Sequence, residues 1–269
     1  MEAHMGFYFR KTKPHSTRNS DKNINSMFSV TVVVVLILLW QGVSASGIVP
    51  PYMLPSPVQI VLAAVKDSSL LFTHLMQTLK EAAAGLGLAL VVSFILAVFM
   101  DSNKFIKETI TPLLTLTQTM PVIALAPLLV LWMGYGSAPK ITLVFLTCFF
   151  PLTVGLFGAF SQAGQDEIKL LKSMGANKVQ LYRYIKLPQS LGAFFSSLRI
   201  SVSYSVIGAV IAEWLGGESG LGVYMIRVRK SYSFDRMFAA IVIVSLLSLF
   251  LIKLVEIIER VSMPWRKGA

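Results

Sequence analysis

The sequence predicts an all-α membrane protein with six transmembrane helices. Of its 269 residues, 55% are hydrophobic and only 14% are charged, whereas about 25% of the residues of a soluble domain are charged. The apolar residues are gathered into runs long enough to cross a bilayer core of about 30 Å. The net charge of +11 comes mainly from short basic segments beside these runs. Such a distribution is typical of membrane topology and not of a nucleic-acid-binding surface.

The first predicted transmembrane helix is the apolar stretch 27–43, which follows a polar, basic tail at residues 1–26. Its length is just sufficient to cross the bilayer core. A cleaved signal peptide is the alternative, but the basic tail is long for one and further apolar runs follow. Residues 44–73 are rich in Pro, Gly and Ser and predict an external connector, with a short surface helix after Pro57.

The next two predicted spans, 82–100 and 109–133, are joined by a polar loop at 101–108. Three prolines in the second of these spans are expected to kink or interrupt it. The backbone groups that they free must bond to neighbours or line a water-filled cavity. Kinked packing alone is one interpretation, and a solute pathway is the other. The candidate pathway residues in this region are Thr117, Gln118 and Thr119.

A tight external turn at 134–140 precedes the fourth predicted span, 141–160, which Pro151 is expected to interrupt. The fifth predicted span is 191–215 and the last is 237–252. Six spans place both termini on one side of the membrane.

Two features of the fifth span and the loop after it are candidate functional sites. Ser203 and Glu213 are further pathway candidates, because polar groups inside a span are costly and often functional. For Glu213, which is near the outer interface, pairing with a basic residue of the following loop is the alternative. That loop predicts either a solvated surface helix or a basic face toward an anion or an acidic partner. This external basic patch consists of Arg227, Arg229, Lys230 and Arg236.

The distribution of basic residues predicts the orientation. With the N-terminus inside, 15 of the 24 Lys and Arg residues lie in inner segments and six in outer ones. Because inner loops of membrane proteins are enriched in Lys and Arg, both termini are predicted to be cytoplasmic. The polar segment between the fourth and fifth spans is then cytoplasmic as well.

This polar stretch, Asp166–Pro188, is called the amphipathic segment below. Its apolar residues recur at helical spacing, and Gly175 is expected to separate two short helices. Pro188 is expected to end the second helix, since the residue before a proline disfavours helical geometry. An amphipathic pair of helices in a hydrophobic protein predicts a surface that docks in a groove of a soluble partner.

The chain lacks the residue patterns of an enzyme. Neither of its glycine-rich stretches matches the GxxxxGK[ST] loop that cradles nucleotide phosphates. The three His residues and the single Cys148 are scattered, so neither a metal site nor a nucleophile–base pair is predicted. Any motion driven by a nucleotide would therefore depend on another subunit, and no cofactor is expected in this chain.

Three motifs resemble one family. The spacing G-x9-I-x-L-P that begins at Gly175 resembles the second half of the "EAA" loop of the permease subunits of ABC importers. Residues 169–171 are Lys-Leu-Leu where the family has Glu-Ala-Ala. The stretches 120–140 and 212–222 resemble the nitrate/sulfonate/taurine branch of these permeases, which includes permeases for thiamine precursors and riboflavin. The resemblance extends over roughly residues 75–260.

The resemblance implies a type I ABC importer permease fold in the bacterial plasma membrane. The permease domain would occupy residues 74–260, with a coupling loop at 161–190 and a cytoplasmic tail at 261–269. ABC ATPase subunits, which hold ATP and Mg, would dock on this loop, and a second permease subunit would complete a homodimer. An extracytoplasmic binding protein would deliver a small solute, such as a sulfonate, taurine, nitrate or a vitamin precursor, and the basic patch favours an anion. The residues implied in ATPase coupling are Asp166, Ile168, Leu171, Met174, Gly175, Ala176, Ile185, Leu187 and Pro188.

Two other functions would fit a protein of this composition. A secondary transporter driven by an ion gradient would have inverted repeats and more ionisable groups at mid-membrane depth, and these spans show neither clearly. A membrane scaffold would have no transport role. Co-purification of a soluble ATPase distinguishes the importer from both.

Overall fold

The computed structural model describes residues 18–50 and 52–264, which form helices and connecting turns without a strand. These residues divide into two compact units, one up to Val58 and one from Gln59 onward. The helices are α1 (Arg18–Ala45), α2 (Pro57–Lys66), α3 (Ser68–Ser102), α4 (Lys104–Thr119), α5 (Val122–Met133), α6 (Ser137–Ser161), α7 (Gln165–Ser173), α8 (Lys178–Leu181), α9 (Leu187–Gly216), α10 (Leu221–Lys230) and α11 (Phe234–Ser262).

Helix α1 contains the whole of the apolar stretch 27–43 and extends beyond both of its ends. The Ser44 hydroxyl donates to the Leu54 carbonyl at 3.0 Å, so the chain after α1 folds back on the end of that helix. The short helix predicted after Pro57 is confirmed as α2. Residues 1–17 and 265–269, which form most of the two predicted tails, lie outside the described residues.

Four helical stretches in the described part of the second unit are long and apolar enough to cross a membrane: α3, α6, α11 and the continuous stretch Lys178–Gly216 that ends with α9. Helices α4 and α5 satisfy the same criteria as a pair, with a bend of 98° between them. The interruption expected within 109–133 is thus confirmed, at Met120 and Pro121. The described residues thus contain four such spans, or five with the bent pair, and the apolar part of α1 is a shorter helix (Thr31–Ala45). The prediction of six spans is roughly compatible with this architecture.

The predicted lengths of two connecting segments are wrong. The connector 44–73 ends earlier than expected, because α3 begins at Ser68. The polar loop at 101–108 is reduced to the single residue Asn103. The Asn103 side chain accepts a hydrogen bond from the Phe105 N–H at 2.9 Å. This cap satisfies a free donor of α4, so the next helix begins without a longer connection.

Two predicted proline breaks are also wrong. Helix α6 continues through Pro151, where the neighbouring Cys148 and Leu152 are buried against α3 and α9. Packing therefore overrides the local preference. At Pro188 the chain forms a π-helical turn, in which the Leu187 N–H donates to the Tyr182 carbonyl. A proline ring clashes with the carbonyl four residues before it, and the wider π turn makes room for the ring.

Helices α3, α6 and α9 form the centre of the second unit through small and hydroxyl side chains. A buried cluster joins Ala82 and Ala89 to Val144, Cys148 and further residues of α6 and α9. The α3–α6 contact is close, because a Cβ on Gly85 would lie 2.5 Å from the Val144 Cβ. Small residues at such contacts let membrane helices approach closely.

Polar contacts join the same helices near their middle. The Ser93 hydroxyl of α3 donates to the Phe149 carbonyl of α6 at 3.0 Å, and the Thr153 hydroxyl donates to Ser93 at 3.0 Å. The Cys148 thiol of α6 donates to the Ser201 carbonyl of α9 at 3.2 Å. Interhelical hydrogen bonds of this kind stabilise membrane bundles, so the three helices form one unit.

Gly85→Ala is expected to lower the free energy of unfolding by about 1–3 kcal/mol, the usual cost of forcing atoms into a packed core. The added methyl would also lie 2.8 Å from the Ile141 carbonyl, so backbone would have to move. Thermal unfolding of the detergent-solubilised protein measures the effect. Gly87→Ala in the same helix is the matched control, since no atom lies within 4 Å of its added Cβ. Equal losses in both variants would contradict the close α3–α6 contact.

Candidate functional site

The amphipathic segment consists of two short helices and a turn. Helix α7 ends where Gly175 adopts a φ of +84°, a conformation that favours glycine. The Ala176 N–H donates to the Leu171 carbonyl at 3.0 Å, which closes the turn. Asn177 and Gln180 then form a reciprocal capping box at the start of α8. The prediction that Gly175 separates two helices is confirmed.

The apolar residues of the segment divide between an inner and an outer face. The inner face packs within the segment: Ile168, Leu181 and Ile185 are buried together with Ala163, and Leu171 and Ala176 pack against them. The outer face consists of Leu170, Met174 and Val179, whose exposed fractions are 59%, 76% and 73%. We call these three residues the docking face. Of the predicted coupling residues, Met174 belongs to the docking face. Ile168, Leu171 and Ile185 instead pack between the two helices.

Leu170 and Val179 were not predicted from the sequence. Leu170 and Met174 are one helical turn apart in α7 and therefore share a face, a signal that the sequence contains. Val179 lies beyond the Gly175 turn, in α8, and is about as exposed as Met174. Of the remaining predicted coupling residues, Asp166 is exposed and pairs with Lys169 at 3.4 Å. Leu187 and Pro188 lie at the start of α9.

A partly buried polar cluster joins the segment to the end of α3. The Asp101 carboxylate accepts hydrogen bonds from the Tyr182 hydroxyl and from the Lys186 ammonium group. Lys186 also lies 5.1 Å from the centre of the Tyr182 ring, and Ser102 Oγ is 3.1 Å from the Tyr182 hydroxyl. The Asp101 side chain is only 6% exposed. The cluster therefore links the segment directly to α3.

A second site is a cavity of about 580 Å³ at the opposite end of the bundle. Beside it, Glu81 of α3 accepts hydrogen bonds from Lys140 Nζ at 2.8 Å and from Gln77 Nε2 at 2.7 Å. The side chains of Glu81 and Lys140 are 2% and 5% exposed. Lys140 was predicted in an external turn, but it is the buried cationic partner of Glu81.

Glu213 lies beside this pair and anchors the glycine-rich loop before α10. One carboxylate oxygen accepts from the Thr78 hydroxyl and the other from the Gly222 N–H, both at 2.7 Å. A Cβ on Gly220 would lie 2.1 Å from the Glu213 carboxyl carbon, so this carboxylate fills the space beside the loop. The alternative pairing of Glu213 with a basic residue of the loop is not found among the contacts of the described residues.

Helix α3 accepts hydrogen bonds from two further N–H groups where this loop joins α10. The Gly220 N–H donates to His74 Nδ1 and the Leu221 N–H donates to Thr78 Oγ1, both at 2.9 Å. Side chains from α3 and α9 thus bind three successive backbone donors. The loop is fixed against both helices.

The residues of the predicted external basic patch lie in different surroundings. Arg227 and Lys230 line the 580 Å³ cavity, and Arg227 donates to the Glu218 carbonyl at 2.7 Å. Arg229 is exposed on α10. Arg236 pairs with Asp67 at 3.4 Å, and Asp67 also accepts from the Tyr224 hydroxyl at 2.8 Å. Burial and the adjacent Asp67 raise the pKa of Tyr224, so its hydroxyl remains a hydrogen-bond donor.

The third site is a cavity of about 630 Å³ beside the bend between α4 and α5. Thr117 and Gln118, both predicted pathway residues, line it together with residues of α6 and α9. Thr119 and Ser203 are not among its lining residues, and their hydroxyls donate to the Leu116 and Arg199 carbonyls. Glu213 lines the other cavity. The structure therefore brings together two of the five predicted pathway residues.

Comparisons with known proteins identify the family of this chain. Residues 89–261 match the model of the family described as the binding-protein-dependent transport system inner membrane component. The formylaminopyrimidine transport permease protein ThiX of Halalkalibacterium halodurans is 39% identical over 235 residues, which cover 87% of this chain and 94% of ThiX. The putative aliphatic sulfonates transport permease protein SsuC of Bacillus subtilis is 27% identical and covers 100% of this chain and 99% of its own.

The fold has been observed before. An inward-facing structure of the MetNI methionine ABC transporter matches with a TM-score of 0.65 at 18% identity, over 72% of this chain and 96% of the other. The resemblance inferred from the three motifs is thereby confirmed for the family and for the fold. The chain belongs to the binding-protein-dependent transport system inner membrane components, the permease subunits of ABC importers.

Proposed function

We propose that the amphipathic segment couples this permease to a soluble ABC ATPase subunit, whose use of ATP drives alternating access of the solute pathway. The observation that carries the proposal is the docking face, three exposed apolar side chains around the Gly175 turn. Large apolar side chains on a polar surface segment mark a site of protein contact. A groove on a helical partner surface accepts residues at this spacing.

The charges around the docking face favour an acidic rim on the ATPase groove. Lys172 and Lys178 are exposed on either side of the Gly175 turn, and Lys169 is paired only with the exposed Asp166. Complementary charges around an apolar centre steer partners and fix their register. The Lys-Leu-Leu sequence at 169–171 fits this arrangement, since Leu170 faces outward and Leu171 packs inward.

The contact of the segment with α3 supports a mechanical role. A force on the docking face reaches the membrane helices in two ways, through the continuous helix into α9 and through Asp101 into α3. ATP and Mg belong to the ATPase subunits in this proposal. The distribution of basic residues supports a cytoplasmic location in a bacterial cell for the docking face and both termini.

A second copy of this chain would complete the solute pathway. The 630 Å³ cavity is open on one side, where Ile200, Tyr204 and Ile207 of α9 are exposed. Apolar and aromatic side chains beside an open cavity fit a subunit interface. An external binding protein would deliver the solute at the end that carries the 580 Å³ cavity. The solutes named for the two relatives are a ring compound and aliphatic sulfonates, and we place the solute of this chain in one of these classes.

Met174→Asp is expected to abolish ATPase binding and ATP-dependent uptake. The change places a carboxylate at the centre of an apolar contact, where an unpaired charge costs several kcal/mol. Pull-down of the ATPase with the tagged permease, followed by uptake into proteoliposomes that contain the full importer, measures both effects. Met174→Leu keeps the apolar volume and should retain both activities.

Ser173→Asp is the charge control, because it adds the same charge to an adjacent exposed residue outside the docking face. It should weaken ATPase binding much less than Met174→Asp, because its carboxylate would meet the polar rim and not the apolar centre of the contact. If Met174→Asp still captures the ATPase as well as the unmodified chain, the assignment of the docking face is wrong. Uptake that continues without ATP would instead support an ion-driven transporter.

A further inference from the structure

The 630 Å³ cavity lies near the middle of the membrane-spanning bundle. Tyr204, which lines it, follows the start of α9 by roughly 25 Å and precedes its end by roughly 18 Å, at about 1.5 Å per residue. Thr147 and Phe150 line it from the middle of α6. The volume is in the usual range for a small-molecule pocket. Its position and size suit a single small solute in passage.

The cavity offers hydrogen-bonding groups that the protein itself does not use. Within the described residues, neither the Gln118 amide nor the Tyr204 hydroxyl forms a hydrogen bond. The Thr117 and Thr147 hydroxyls donate to the Leu114 and Val144 carbonyls at 2.7 and 2.8 Å, and their oxygens remain able to accept. A solute here can therefore both donate and accept hydrogen bonds.

The described residues that line this cavity carry no charge. Arg199, one residue before the lining Ile200, is directed to Glu259 at 3.1 Å. The buried Glu81–Lys140 pair belongs to the other end of the bundle. An anion at this depth would have no cationic partner, and an unpaired charge away from water is costly. The cavity therefore favours an uncharged solute.

The aromatic side chains of the 630 Å³ cavity favour a planar solute. Phe150 and Tyr204 both line the cavity, and aromatic rings stack with planar solutes at favourable energy. Aliphatic residues of α9 provide the remaining wall, with Ile200, Ile207 and Ile211 at helical spacing. An amide beside aromatic rings is suited to a ring that carries nitrogen donors and acceptors.

We propose that this cavity is the specificity site of the permease, that it takes an uncharged aromatic nitrogen heterocycle, and that Gln118 and Tyr204 determine the selection. The proposal rests on the proposed transport function and adds to it the chemical class of the solute. It also separates the external basic patch from solute selection, because none of that patch lines this cavity.

Cysteine protection tests the proposal directly. Ile207→Cys introduces a thiol into the cavity wall, and the native Cys148 is fully buried. The full importer in proteoliposomes is treated with a maleimide in the presence of either 4-aminopyrimidine or methanesulfonate. We expect 4-aminopyrimidine to slow the labelling of the introduced thiol and methanesulfonate to leave it unchanged. Protection by methanesulfonate, or by neither compound, would overturn the assignment of the solute class.

Gln118→Ala and Tyr204→Ala, each combined with Ile207→Cys, are expected to raise the half-protecting concentration of 4-aminopyrimidine about tenfold, as for loss of one stacking or hydrogen-bonding partner. Tyr135→Ala is the matched control, since Tyr135 lines the other cavity. An unchanged labelling rate without solute shows that each variant is folded. Unchanged protection in both cavity variants would exclude Gln118 and Tyr204 as specificity residues.

The same vesicles report on the proposed function separately. Alternating access requires the labelling rate of the introduced thiol to change when ATP is added. A rate that responds to ATP but not to 4-aminopyrimidine would refute the specificity site and leave the importer function intact. A labelling rate that does not change with ATP would refute the proposed coupling between the ATPase and the permease.

Discussion

Lys140→Met is expected to lower the free energy of unfolding by about 3–5 kcal/mol, which is the usual cost of removing one partner of a buried ion pair. Lys140 donates to Glu81 at 2.8 Å, and both side chains are almost fully buried. The variant leaves the Glu81 carboxylate in the bundle without a cation. Thermal unfolding of the purified permease in detergent measures the loss.

Two control variants show whether the loss comes from the buried charge. Adding Glu81→Gln to Lys140→Met should recover most of the stability, because neither residue of the pair then carries a charge. Lys104→Met makes the same replacement in the Lys104–Glu108 pair, whose side chains are 87% and 65% exposed. An exposed pair contributes little, so this variant should unfold like the unmodified protein. A double variant as unstable as Lys140→Met would contradict the electrostatic explanation.

Gly175→Val is expected to reduce ATP-dependent uptake about tenfold or more while the permease still inserts in the membrane. The φ of +84° at this position costs an ordinary residue about 1–2 kcal/mol, more when it is β-branched, and 1.4 kcal/mol corresponds to a factor of ten. The turn would change conformation, and α8 with Val179 would take a different position relative to α7 with Leu170 and Met174. Uptake into proteoliposomes and the amount of purified permease are the two measurements.

A side chain at position 175 would meet no neighbouring atom, so the expected loss of uptake would come from the backbone conformation alone. No atom lies within 4 Å of a Cβ built at this position, so a side chain can be accommodated if the backbone allows it. Gly175→Asn should therefore retain most of the uptake, since Asn tolerates the left-handed conformation. Gly158→Ala in α6 is the control, because Gly158 does not have a positive φ and an added Cβ would meet no atom within 4 Å. Equal uptake by the Val and Asn variants would show that the turn geometry is unimportant.

The sequence predicted the spans well because their signal is bulk hydrophobicity, which needs no tertiary information. The Gly175 turn and α2 were predicted for a similar reason, since both depend on local backbone preferences. The errors at Pro151 and Pro188 have the opposite origin. Neighbouring helices hold α6 straight enough to continue, and a π turn accommodates Pro188. Neither can be derived from the residues beside the proline alone.

The sites were predicted only in part because they join distant residues. Met174 was implied by the family resemblance, and Thr117 and Gln118 were identified from their position in the proline-rich span. Tyr204 reaches the same cavity as Gln118 only through the packing of α9 beside the α4–α5 bend. Asp101 was assigned to a loop, yet it meets Lys186 some 85 positions later in the chain. Contacts of this kind are set by the fold, and no periodicity in a single helix indicates them.

The two ends of α3 are fastened to different parts of the chain. At one end Asp101 holds the amphipathic segment, and at the other Thr78 and His74 hold the loop at 220–222. Helix α3 has 35 residues and a length of roughly 50 Å, and α6 and α9 brace it along the middle. These helices should tilt as one stiff rod. A push of a few ångströms at the ATPase side would then displace the loop on the far side of the membrane, with no need for any helix to unwind.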